Sequence, residues 1–129
     1  MKRLLLIAPF VFGLGLAHAD DDKVVTPLML KELADFPGKE ALMLTVDYAP
    51  GAEDSVHRHE AHAFVYVLEG SVVMQLQGGQ PVTLTRGQVF YEGPKDLHIV
   101  GRNASKTQPA KFVVVLIKNR GVDPVLPPY

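Results

Sequence analysis

The chain has 129 residues, with 13 basic and 14 acidic side chains, a net charge of −1, and neither cysteine nor tryptophan. A balance this near neutral, without a basic stripe or run, excludes nucleic acid as the expected partner, because nothing is placed to neutralise phosphates. Disulfides are excluded as well, so stability must come from packing, helped by a bound metal or a second subunit.

The first residues, MKRLLLIAPFVFGLGLAHAD, combine basic Lys2 and Arg3 with an apolar run from Leu4 to Ala17 and the triplet Ala17-His18-Ala19. That pattern is a secretory signal over residues 1–19, cleaved after Ala19. The run is short of the ~20 residues that span a bilayer, and it contains Pro9, Gly13 and Gly15. A periplasmic or secreted protein is therefore expected, with no membrane attachment after cleavage. Losing Lys2 and Arg3 leaves 11 basic against 14 acidic side chains, a net charge of −3. The remaining ~110 residues suffice for one domain with one core.

Residues 20–40 read as an N-terminal arm. Within it, Thr26-Pro27 followed by LMLKEL suits either a short capped helix or a strand. From there the chain reads as β-structure over residues 41–118. Strands are expected at Ala41–Tyr48, His62–Leu68, Ser71–Gln77, Pro81–Thr85, Gln88–Tyr91, Leu97–Val100 and Phe112–Lys118, punctuated by Gly and Pro. Short strands at such spacing predict an all-β, single-domain sandwich or barrel. Residues 119–129 are too proline-rich for a central strand and read as an extended tail along the surface or a neighbour.

Residues 57–62 are H-R-H-E-A-H. In a strand, positions i and i+2 share a side, so His57 and His59 can present both imidazoles to one space while Arg58 faces away. Neutral imidazole is a common ligand for Zn, Cu, Fe and Ni. After cleavage the surviving histidines are His57, His59, His62 and His98. Spacing by itself leaves a metal site and a solvated polar loop both open.

The flanking residues add a resemblance. Gly51-AEDSV-His57-R-His59-EAHAFVYVLE-Gly70 resembles the first motif of the cupin family, G-x5-H-x-H-x3,4-E-x6-G. The family's second motif, G-x5-P-x-G-x2-H-x3-N, is matched more loosely by Gly87 and His98, with Pro94 and Asn103 each displaced by one and Lys95 at the second glycine. The resemblance implies a cupin-type jelly-roll β-barrel with a mononuclear divalent metal (Fe, Mn, Ni or Zn) held in its mouth by His57, His59 and His98. The family's usual glutamate ligand would fall at Ala63, which cannot coordinate. His62, Glu60 and Glu92 are the candidates to replace it. Tyr66, Tyr91 and Glu92 are candidate catalytic groups, since a phenol or carboxyl near a metal can move a proton. Phe64, Val65, Tyr66, Val67, Met74, Leu76, Phe90, Tyr91 and Phe112 are candidates for the lining. Asn103-Ala104-Ser105 fits the glycosylation pattern.

Two functions stay open on the sequence. One is an exported metalloenzyme of dioxygenase, isomerase or lyase type acting on a small organic molecule; the other is a non-catalytic module that binds a metal or small ligand. A homodimer is compatible with either.

Overall fold

The computed structural model describes residues 22–129; the expected signal, residues 1–19, lies outside them. The elements are β1 (Lys23–Glu32), β2 (Lys39–Tyr48), β3 (Ala61–Glu69), β4 (Ser71–Leu76), β5 (Val82–Thr85), β6 (Val89–Glu92), β7 (His98–Asn103) and β8 (Ala110–Asn119). They form a five-stranded sheet in the order β1-β2-β8-β3-β6 and a three-stranded sheet in the order β5-β4-β7. All pairings between named strands are antiparallel. The all-β jelly-roll expected from the sequence is the fold. No helix among the described residues is long and apolar enough to cross a membrane.

Alternation sets the core. On β3, Ala61, Ala63, Val65 and Val67 are buried, whereas His62, Phe64 and Tyr66 are exposed. On β8, Phe112, Val114 and Leu116 turn inward. These meet Leu44, Val46 and Tyr48 of β2 and Val72, Met74 and Leu84 of the smaller sheet. Fully burying one such aliphatic or aromatic side chain contributes roughly 1.5–3 kcal/mol. Tyr48 and Phe112 meet edge to face, with ring centroids 5.2 Å apart.

The ambiguous segment around Thr26-Pro27 is strand. β1 pairs with β2 from Lys23↔Tyr48 to Glu32↔Glu40, with a bulge between Pro27 and Met29. Proline lacks a ladder donor, which an edge strand tolerates, and β1 is the edge. Gly70, the closing glycine of the first motif, has φ +68°, and a Cβ there would collide with the Pro109 carbonyl oxygen. Only glycine fits this β3–β4 turn without strain.

Candidate metal centre

The two histidines of H-R-H precede β3 and run beside the start of β7. His57 N–H donates to His98 O (3.1 Å) and His98 N–H to His57 O (2.8 Å), so the backbone fixes this pair in register. Glu92 ends β6 and His98 begins β7. Residues 93–97 link them in a tight turn held by Gly93 N–H donating to Asp96 Oδ2 at 2.6 Å. Ladder register thus brings a loop pair and two strand ends to one corner of the sandwich.

One donor atom from each of His57, His59, Glu92 and His98 lies within 4.8 Å of all the others. The His57 ring stands edge-on to both His59 and His98, with centroids 4.8 Å apart in each case. Glu92 Oε2 is 3.3 Å from His59 Nε2, and Glu92 Oε1 is 3.2 Å from His98 Nδ1. Glu92 is 3% exposed and His98 4%. Glu92 is thus the carboxylate that stands with the three histidines, and the four side chains together could hold an ion.

Two tautomers are set by backbone carbonyls. His57 Nδ1 donates to Ser55 O at 2.7 Å, and His59 Nδ1 to Pro124 O at 2.6 Å. Each ring is left with Nε2 as its free lone pair, the arrangement in which metal-binding imidazoles are usually held. Burial pushes the His59 imidazolium down, but the adjacent Glu92 carboxylate outweighs it and the net shift is upward. For His98 burial dominates, and its pKa falls. Burial pushes the Glu92 carboxyl up, yet the surrounding histidines bring it below the ordinary value.

Glu92 Oε2 and both ring nitrogens of His98 are buried without a hydrogen-bond partner. Orphaned buried polar atoms are costly and call for an explanation. A divalent ion supplies one: it binds nitrogen and oxygen donors at ~2.0–2.2 Å, so donors spread over 4.8 Å nearly match its coordination sphere. Three imidazoles and one carboxylate suit Zn, Fe, Ni or Mn.

The four residues line one cavity of about 130 Å³ between the sheets. Its walls are mostly apolar, including Leu44, Val65, Met74, Phe112 and Leu116, with Lys23 and Asp54 at a polar end. Asp54 accepts hydrogen bonds from Tyr48 Oη and Lys23 Nζ. Gly101 makes the close approach possible: a Cβ there would lie 3.0 Å from His98 Cε1 and 3.1 Å from Asp54 Oδ2.

The other candidates lie elsewhere. His62 is exposed on the outer face of β3, with Nδ1 2.6 Å from Tyr91 Oη. Strand alternation turns it opposite to Ala63, and no bulge redirects it inward. Tyr66 and Tyr91 are 46% and 45% exposed on the same outer face, away from the cavity. Glu60 pairs with Arg58 at 2.6 Å on the surface. Of the expected lining, Val65, Met74 and Phe112 reach the cavity. Asn103 is buried and bonded to Ala49 O, Gln108 O and Ser105 N–H, which leaves its amide unavailable to a glycan in the folded protein. Asp54, Ser55 and Pro124 escaped the sequence reading, since only the folded path carries them to the histidines.

Comparison with known proteins places this geometry in a family. The model described as a cupin domain matches residues 44–116. Oryzines biosynthesis cluster protein J of Aspergillus oryzae (strain ATCC 42149 / RIB 40) is 32% identical over 82 residues, 64% of this chain and 45% of that protein. Among solved structures, an oxalate oxidase in complex with the substrate analogue glycolate superposes with a TM-score of 0.61 at 22% identity, covering 93% of this chain and 62% of that one. The DMSP lyase DddQ from Ruegeria pomeroyi DSS-3 gives 0.59 at 20% identity, covering 67% and 42%. The chain thus spans less than half of the first relative and under two thirds of either enzyme. With the family's domain model matching more than half its length, and its jelly-roll and histidine corner in place, the chain belongs to the cupin family.

Proposed function

We propose that the protein is an exported, mononuclear metal-binding cupin that acts on a small organic molecule in the cavity between its sheets. The carrying observation is the His57, His59, Glu92 and His98 cluster with its unpartnered buried atoms. A divalent ion held by these four residues would supply Lewis acidity. The chain's own residues orient the ligand set, exclude bulk water through apolar walls, and offer Asp54 and Lys23 as polar contacts. A cavity of about 130 Å³ admits a small molecule and no polymer. The enzymes similar in fold, an oxalate oxidase and a DMSP lyase, support small substrates as a class.

The number of donors keeps a second reading in view. Four protein ligands fill a tetrahedral ion, as in closed structural zinc sites, and that supports a non-catalytic binding module. An octahedral ion keeps two positions for substrate. Elemental analysis of untagged protein, followed by nitric oxide binding to the iron-loaded form, separates the two. Stoichiometric metal with nitric oxide binding is expected; metal-free protein that takes up none of Fe, Mn, Ni or Zn would overturn the reading.

The outer face of the five-stranded sheet fits a second copy of the chain. Ladder register aligns Met29, Met43, Val115, Phe64 and Tyr91 in one row across all five strands. A contiguous apolar face of this kind is uncommon on a monomer and suits a two-fold contact.

A further inference from the structure

C-terminal residues Pro124 and Val125 help to line the cavity. Arg58 and Leu126 form a two-way bridge, with Arg58 N–H donating to Leu126 O (3.1 Å) and Leu126 N–H to Arg58 O (2.8 Å). Arg58 Nε also donates to Pro127 O at 3.0 Å. Arg58 is the residue between the two histidines, so the tail is fastened to the H-R-H segment itself. At its base, buried Lys118 holds Val122 O at 2.6 Å while pairing with Glu40 at 2.5 Å. Pro124 restricts φ between these anchors and Pro127 and Pro128 do so at and beyond the second, which lowers the entropy lost on ordering the segment. Between the anchors, Pro124 O accepts the His59 Nδ1 proton at 2.6 Å, and Pro124 and Val125 form part of the cavity wall.

We propose that residues 123–129 are a working part of the metal centre. The Pro124 carbonyl is a positioning group that fixes the His59 ring with Nε2 turned inward, and Pro124 with Val125 closes the cavity against larger ligands. The inference rests on the metal reading above. His59 has no other hydrogen-bond partner on Nδ1, so without Pro124 the Glu92 carboxylate, 3.3 Å from Nε2, would draw the proton to Nε2, the wrong tautomer for a ligand turned inward. Outer partners of metal-bound histidine are worth roughly 10–100-fold in metal affinity.

The test compares the full chain with one ending at Asp123 and with Leu126→Pro, which deletes the N–H that Leu126 gives to Arg58. Long-range proton–nitrogen correlation on metal-free protein, above the imidazole range, reads the His59 tautomer directly. The full chain should show protonated Nδ1 alone; the shortened chain should show a mixture. Cobalt(II) affinity should fall about 10–100-fold in the shortened chain and in the same direction in Leu126→Pro, with altered visible bands. An unchanged tautomer with unchanged cobalt affinity overturns the inference. If the shortened chain fails to fold, Leu126→Pro decides by the same two readouts. Failure of the full chain to bind cobalt sinks the metal reading, while the tautomer still judges the positioning role.

Discussion

Ala63 and Glu92 sit directly opposite each other on the β3–β6 ladder. Both are buried, and on an antiparallel pair opposite residues share a face. The position where the cupin motif places a glutamate is therefore covered by a carboxylate from the neighbouring strand. Ala63 leaves the room that the Glu92 side chain uses. The expected outcome is that Glu92→Ala lowers divalent-metal affinity by more than about tenfold. The double variant Ala63→Glu, Glu92→Ala should recover part of it. Calorimetric titration checks both, and wild-type affinity in Glu92→Ala would remove the carboxylate from the ligand set.

Single replacements of His57, His59 and His98 by alanine should each abolish stoichiometric metal. His62→Ala should leave metal content unchanged, because that ring faces Tyr91 on the outer surface. Elemental analysis of the four variants is sufficient. Full occupancy in His98→Ala would be incompatible with this site.

Metal uptake should weaken as pH falls, since a protonated imidazole cannot ligate. The onset should lie above the ordinary imidazole value, ~6.5, because Glu92 holds the His59 proton more tightly than water does. His98, depressed by burial, stays neutral through that range and adds nothing to the onset. Glu92→Gln removes the upward pull, so His59 of the metal-free protein should titrate at lower pH in that variant. Titration of the His59 ring followed by NMR in both metal-free proteins tests the sign; a shift to higher pH in Glu92→Gln contradicts it.

Phe64→Lys should convert a dimer into a monomer by placing a charge within the apolar row, beside its central Val115. Sedimentation velocity reads the result. A wild-type chain that is monomeric at all concentrations would dispose of the second-copy proposal.

Gly70→Ala should cost about 1–3 kcal/mol for the left-handed backbone alone, and the collision with Pro109 adds to it. The expected readout is a lower midpoint in thermal unfolding of the metal-free protein. A midpoint equal to wild type would mean that the turn adapts.

The strands were legible because their determinants are local. Alternation in HAFVYVL and the Gly and Pro residues that punctuate the strands need no tertiary information, and His57 and His59 follow from period two. Glu92 was visible only as one candidate among three, since its claim depends on which residue opposes Ala63. Tyr66 and Tyr91 were candidates on chemistry alone; their exposure follows from a pairing register that composition does not reveal. The arm was ambiguous because Thr-Pro opens helices and also suits an edge strand. The tail's role was hidden because it acts through main-chain carbonyls, which every residue carries.

The ligand set also crosses the sandwich. Glu92 belongs to the five-stranded sheet, whereas His98 belongs to the three-stranded sheet and holds His57 by its backbone. An ion bound by all of them ties the two layers together at the open end, in a protein that has no covalent cross-link. Its binding energy then opposes the splaying of one layer from the other. Chelation amounts to unbuttoning the sandwich at one corner, while the Tyr48–Phe112 contact still packs the interior.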